Sequence, residues 1–174
     1  SWPRHLPMDR SELDRIKSQL EKAYLQLHSD QDEPIYLEET VKLPYPLDDQ
    51  THTIIAKIDR VDRLEGGAWR VIDYKTGKAS KRLLEPDKSD LQMAIYAMAL
   101  PELFEPGSSA AGELPSGGAE YWLLATGQRG SIGFDALKID KVRDKIDDSI
   151  RKMLAGEFER GKKCQNGICR LLPD

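Results

Sequence analysis

The chain has 174 residues, 39% hydrophobic and 32% charged, with a formal net charge of −4 at pH 7. That length suits one domain, residues 1–174, with a real core, and that composition is ordinary for a soluble globular chain. No apolar stretch approaches the roughly 20 residues of a membrane helix, and two cysteines make no disulfide framework, so a cytoplasmic protein without a membrane partner is expected.

In chain order, Leu13, Ile16, Leu20, Tyr24 and Leu27 fall at three- and four-residue spacings and predict a helix over 11–27, with Ser11 as N-cap. A polar break at 30–34 precedes a strand over 35–43, which Pro44-Tyr45-Pro46 punctuates. Two further strands are predicted near 52–64 and 68–75, and a basic polar loop follows to Ser89. Residues 90–100 read as a helix stopped by Pro101. The Gly-, Pro- and Ser-rich segment 105–118 is expected to be a surface loop. An apolar strand over 120–126 leads to a turn at Gln128-Arg129-Gly130, and 139–158 predicts a long amphipathic helix carrying Val142, Ile146, Ile150, Met153 and Leu154.

The chemistry is concentrated in residues 54–77. Two apolar runs, each ending in acid, flank Glu65-Gly66-Gly67, a turn signal between β-branched stretches. The first run delivers Asp59; the second delivers Asp73 and, two residues on, Lys75. Residues two apart on a strand share a face, so Asp73 and Lys75 project together, and a paired hairpin brings Asp59 beside them. Two carboxylates suit a hard divalent cation such as Mg²⁺ or Mn²⁺. A cation and an ammonium side by side are what metal-assisted phosphodiester hydrolysis uses.

The negative net charge is unfavourable for a nucleic-acid partner, because phosphates are met mainly by Lys and Arg. The total hides a pattern. Lys75, Lys78, Lys81 and Arg82 cluster after the second motif strand, and Arg160, Lys162 and Lys163 cluster near the end. Acids gather at 30–33 and 144–148 instead. Most such runs are solvated faces; here a basic patch beside an acidic site is compatible with DNA.

These motifs resemble the PD-(D/E)XK nuclease superfamily, in particular its RecB-like branch of AddB- and RecB-type nuclease domains. The carriers are Ala56-Lys57-Ile58-Asp59-Arg60-Val61-Asp62, Val71-Ile72-Asp73-Tyr74-Lys75-Thr76-Gly77 and Gln92-Met93-Ala94-Ile95-Tyr96, in family order. The resemblance runs from about residue 35 to the C-terminus. It implies an α/β restriction-endonuclease-like core, a mixed central sheet flanked by helices. It also implies that Asp59, Asp73 and the Tyr74 backbone carbonyl hold metal, and that Lys75 is the catalytic lysine. Gln92 and Tyr96 would lie beside the site, Lys78, Lys81 and Arg82 would touch the DNA backbone, and Asp62 would support the site or pair with Arg60 or Arg63. Arg70 and Lys57 match no functional position and read as surface charges.

The expected activity is metal-dependent DNA cleavage, as an exonuclease module working with a helicase domain or subunit in repair. The alternative is a nuclease-fold module that binds DNA or assembles complexes without cutting. The family's metal-binding His, on an upstream helix, has no counterpart: His5, His28 and His52 lack that context, and His28 reads as a surface residue at a helix end. The chain is therefore expected to be the C-terminal part of a larger protein. AddB-type domains clamp an iron–sulfur cluster with four cysteines. Cys164 and Cys169 stand where the C-terminal group belongs, but with two thiols an intact cluster is not expected here.

Overall fold

Apolar residues, alternating in the first strand and running together in the third and fourth, draw five segments into one mixed sheet. In the computed structural model, which describes residues 10–29, 32–105 and 114–157, these are β1 (Glu33–Leu47), β2 (Gln50–Arg63), β3 (Trp69–Lys75), β4 (Gly117–Leu123) and β5 (Gln128–Gly133). Their spatial order is β1-β2-β3-β4-β5, with β3 and β4 parallel and the other neighbours antiparallel. Helices α1 (Arg10–Leu27), α2 (Lys81–Leu84), α3 (Leu91–Phe104) and α4 (Ile139–Leu154), with short 3-10 turns at Glu65–Gly67 and Phe134–Ala136, complete the described regular elements. A parallel pair needs a crossover, and the segment between β3 and β4 supplies it with α2 and α3. The turn from β2 to β3 passes through Gly66 and Gly67 at φ 85° and 82°, a left-handed region that glycine enters without strain. This is the mixed sheet with flanking helices expected of a restriction-endonuclease-like α/β fold.

The chain divides into two compact units that part between Ile139 and Asp140. In the first, each face of the sheet has its own helix. Ala23 and Leu27 of α1 pack with Ile72 and Trp122, and Tyr74 and Leu124 lie against that cluster. The opposite face, bearing Trp69, Val71, Asp73 and Lys75, meets α3, whose Phe104 stacks on Trp69 with ring centroids 4.2 Å apart. Met93, Ala94 and all of Tyr96 to Leu100 are buried, so α3 is apolar nearly all round. Each such large side chain contributes on the order of 1.5–3 kcal/mol. In the second unit, Val142 and Ile146 are the buried positions of α4, one helical turn apart.

Behind the sheet, on the α1 face, lies a network of buried ions. Asp62 is fully buried and accepts from Arg60 Nε and Nη2 at 2.5 and 2.9 Å and from Arg70 Nη2 at 2.6 Å. Arg70 Nη2 also reaches Asp32 Oδ2 at 2.6 Å, which ties β3 to the segment between α1 and β1. Both guanidiniums approach the Trp122 ring, at 5.2 and 5.7 Å from its centroid. Burial is the largest single influence and would lower their pKa values, but the bonds to Asp62 together with the other acidic neighbours, Asp32 and Glu120 beside Arg70 and Tyr74 beside Arg60, hold both above the ordinary arginine value. Arg70 is thus no surface charge: the register sets it directly opposite Asp62. Lys57 is exposed as expected.

Several predicted boundaries shift for local reasons. β1 runs through Pro44 and Pro46 to Leu47, because it is an edge strand, where a missing N–H is tolerated. Ser11 lies inside α1 rather than at its cap. α3 continues past Pro101 to Phe104: the stacking on Trp69 holds its last turn, and Tyr36 Oη donates to the Leu103 carbonyl at 3.2 Å. The loop after β3 contains the short α2, and β4 begins at Gly117. Gln128, Arg129 and Gly130 open β5 rather than form a turn, which residues 124–127 supply. α4 is described to Leu154; Phe158 lies outside the described residues.

Asp62→Ala would strip Arg60 of its buried carboxylate and leave Arg70 with Asp32 alone. The expected cost is about 3–5 kcal/mol in urea denaturation; a loss under about 1 kcal/mol would mean that solvent, not Asp62, neutralises the pair.

Candidate active site

The β2–β3 ladder sets Arg60 against Ile72 and Val61 against Val71. Continued by one residue, it sets Asp59 opposite Asp73, and directly opposed residues share a face with Cβ atoms roughly 4.5–5.5 Å apart. The ladder's regular bonding ends there: the Tyr74 amide donates to Asp59 Oδ2 at 2.8 Å. Asp59 is therefore oriented by the backbone of the residue that follows Asp73. It borders an open cleft of about 770 Å³ shared with Glu38, Glu39, Lys57 and Tyr74, whereas Asp73 is 4% exposed.

Around Asp73 the hydrogen bonds fix one another. Gln92 Nε2 donates to Asp73 Oδ1 at 2.5 Å and to Tyr96 Oη at 2.7 Å, and Tyr96 Oη donates to the same Asp73 oxygen at 3.0 Å. Lys75 Nζ donates to Gln92 Oε1 at 3.1 Å and stands 2.6 Å from Asp73 Oδ2. A carboxylate accepts and an ammonium donates, so the Gln92 amide has one workable orientation. Its backbone is fixed too. Asp90 caps α3 by accepting from the amides of Gln92 and Met93 through Oδ1, which places Gln92 in the first turn and Tyr96 one turn further on the same side. Burial and the Asp73 charge push the Tyr96 hydroxyl well above the usual tyrosine value, although the bond from Gln92 opposes this. Tyr96 thus remains a neutral donor.

A sequence pattern of the PD-(D/E)XK nuclease superfamily matches residues 2–171. The chain belongs to that superfamily. No curated protein matches it. The crystal structure of SSO0001 is similar at a TM-score of 0.47 and 15% identity over 82% of this chain and 61% of that one, too distant to carry an argument. The chain thus spans less than two thirds of SSO0001. Membership of this nuclease superfamily points to phosphodiester hydrolysis of nucleic acid, and superfamily members typically use divalent metals.

The chemistry of Asp59 and Asp73 fits such a cation. Among the described residues no three His, Cys, Asp or Glu side chains converge on one point. Mg²⁺, however, keeps several waters and is commonly held by one or two carboxylates, the number Asp59 and Asp73 provide. Asp73 Oδ2 is buried and has no aligned hydrogen bond; Lys75 approaches it closely but off the bonding direction, so their contact is electrostatic. A lone pair on that oxygen is therefore open to a cation.

The other predicted residues are placed unevenly. The Tyr74 ring points to the α1 face and meets Trp122 edge-on, with centroids 6.0 Å apart. Lys78 is exposed in the loop after β3. Lys81 pairs with Glu85 at 3.8 Å, and Arg82 Nη2 lies 3.7 Å from Asp90 Oδ2, while both cationic side chains stay largely exposed. α2 sits so close to β5 that a Cβ at Gly130 would run into the Leu83 and Leu84 carbonyls. His28 stacks on Tyr24 with centroids 4.6 Å apart and faces Arg60 at 3.5 Å, on the sheet face away from Asp73. Cys164 and Cys169, like His5, Arg160, Lys162 and Lys163, lie outside the described residues. Two contributors escaped the sequence reading. Asp90 carries a legible N-cap signal, an Asp before an apolar helix; Tyr121 carries none, since it reads as one apolar residue of a buried strand.

Tyr96 and Tyr121 both have raised pKa values, chiefly through burial, so the folded chain keeps protons that the unfolded chain releases above its ordinary value near 10. Their contribution is fully present below about pH 10 and is lost as pH rises beyond it. Urea denaturation at pH 9 and pH 10.5 should show wild type losing more stability than Tyr96→Phe; equal losses would place the Tyr96 hydroxyl in solvent.

Proposed function

We propose that the chain is a divalent-metal-dependent deoxyribonuclease in which Asp59 and Asp73 hold Mg²⁺ or Mn²⁺. One observation carries the reading: the register puts two carboxylates on one face, and Lys75 Nζ lies 2.6 Å from Asp73. A cation of that kind polarises a phosphoryl oxygen and acidifies water. The chain's own groups do the rest. Lys75 donates protons in hydrogen bonds to the attacking water and offsets negative charge that develops at phosphorus. Gln92 holds Lys75 and Asp73 at their working separation through opposite ends of one amide. Tyr96 keeps its proton and steadies the Asp73 oxygen that Gln92 also meets. The Tyr74 backbone carbonyl completes the ligand set in this reading.

Lys78, Lys81 and Arg82 supply phosphate contacts, which position DNA without reading its sequence, so cutting is non-specific. The three motifs around Asp59, Asp73 and Gln92 support the RecB-like branch. On that basis the domain works as an exonuclease module of a helicase–nuclease or repair system. A second reading, DNA binding or assembly without cutting, draws on the polar contacts of Asp73, whose two oxygens already meet Gln92, Tyr96 and Lys75.

Cleavage of labelled single- and double-stranded DNA separates the two. Mg²⁺-dependent cutting, abolished by a chelator and lowered at least about 10²-fold by Lys75→Ala or Asp73→Asn with unchanged folding, is the expected result. Cutting that survives Lys75→Ala or metal removal would sink the assignment, and metal binding without cutting would favour the second reading.

A further inference from the structure

We infer that Tyr121 is a positioning residue for Lys75: its ring holds the ammonium while its hydroxyl locks the first turn of α3. The inference rests on the proposed nuclease reading and adds a residue outside the three motifs. Tyr121 is the β4 partner of Asp73 in the parallel register and is 2% exposed. Lys75 Nζ lies 5.1 Å from its ring centroid. A cation within about 6 Å of an aromatic face is attracted to it, more strongly where water is excluded.

The other end of the ring is anchored. Tyr121 Oη donates to Asp90 Oδ1 at 3.0 Å, the oxygen that also accepts from the amides of Gln92 and Met93. A hydroxyl has one proton to give, and the carboxylate takes it; the Gln92 Oε1 atom is a more distant neighbour at 3.4 Å. Burial and the Asp90 charge keep this hydroxyl protonated. One side chain thus touches both parts of the lysine's surroundings.

Lys75 has three holds: Asp73 Oδ2 at 2.6 Å, Gln92 Oε1 at 3.1 Å and the Tyr121 ring. The first is the oxygen open to a cation, so the other two must keep Lys75 directed once that oxygen is engaged. Both depend on Tyr121, the ring directly and Gln92 through the capped turn. Truncating the ring removes one hold and loosens the other, whereas removing the hydroxyl alone spares the ring.

The test compares wild type, Tyr121→Phe, Tyr121→Leu and Tyr121→Met, whose longer, flexible side chain guards against a packing defect peculiar to the leucine variant. The first readout is the ¹⁵N ammonium signal of Lys75, identified by its loss in Lys75→Arg, with and without Mg²⁺. The second is kcat and KM on labelled single-stranded DNA. An ordered Lys75 signal should persist in wild type and Phe and vanish in Leu and Met. Alongside it, kcat should fall about tenfold in Leu and Met and about twofold in Phe, with KM unchanged. An ordered signal in Leu or Met, or a kcat within twofold of wild type there, would overturn the inference, as would a change confined to KM. If wild type does not cut, the nuclease reading fails by itself, and the ammonium signal still decides whether Tyr121 holds Lys75.

Discussion

The antiparallel register of β2 against β3 is the constraint on which the rest depends. Side chains on a strand alternate between faces, so one alignment makes two assignments at once. It sets Asp62 opposite Arg70 on the face covered by α1, and, one step past the Arg60 pair, Asp59 opposite Asp73 on the other. A slip of one residue would turn one strand over relative to the other, parting Arg70 from Asp62 and Asp73 from Asp59. The ion network around Asp62 is therefore a register lock as well as a set of contacts. Its charges are strongly unfavourable in any alignment that separates them.

The two faces solve different problems with the same few residues. Behind the sheet, acids and arginines neutralise one another and lean on Trp122, with Arg70 Nε alone of the network's buried nitrogens and oxygens left without a partner among the described residues. In front, the polar groups meet through Gln92, and one oxygen of Asp73 lacks an aligned donor. α3 makes this possible. It is apolar enough to be buried along most of its length, yet its first turn carries Gln92, held by the Asp90 cap. The site thus sits at the junction of a strand end and a helix start, where backbone geometry is fixed by the fold rather than by a loop.

Much of this was legible in the sequence because it rests on local periodicity. The hairpin, its Gly66-Gly67 turn, the shared face of Asp73 and Lys75, and the Gln92–Tyr96 spacing all follow from periods of two and about four residues. What stayed hidden depends on partners distant along the chain. Arg70 read as a surface charge because neither Asp32 nor the depth of Asp62 is visible locally. Pro101 read as a helix stop because Trp69, thirty-two positions earlier, stacks on the turn that follows it. β5 read as a turn because its strand character comes from pairing with β4. Tyr121 became visible when the parallel register put it beside Asp73.

The prolines of β1 have a consequence for how copies of this chain meet. Proline in a sheet is tolerated where its absent N–H would face solvent. Pro44 and Pro46 lie two apart on the outermost strand and so remove successive donors from the same free rim. A second sheet approaching that stretch finds carbonyls without the amides needed to zip alongside. The rim nearer the start of β1 has exposed Ile35 and Leu37 but carries Glu33, Glu38 and Glu39 among them, so matching rims there repel. The sheet is finished on that side by what its backbone lacks and by like charge, which discourages fibre-like growth through β1.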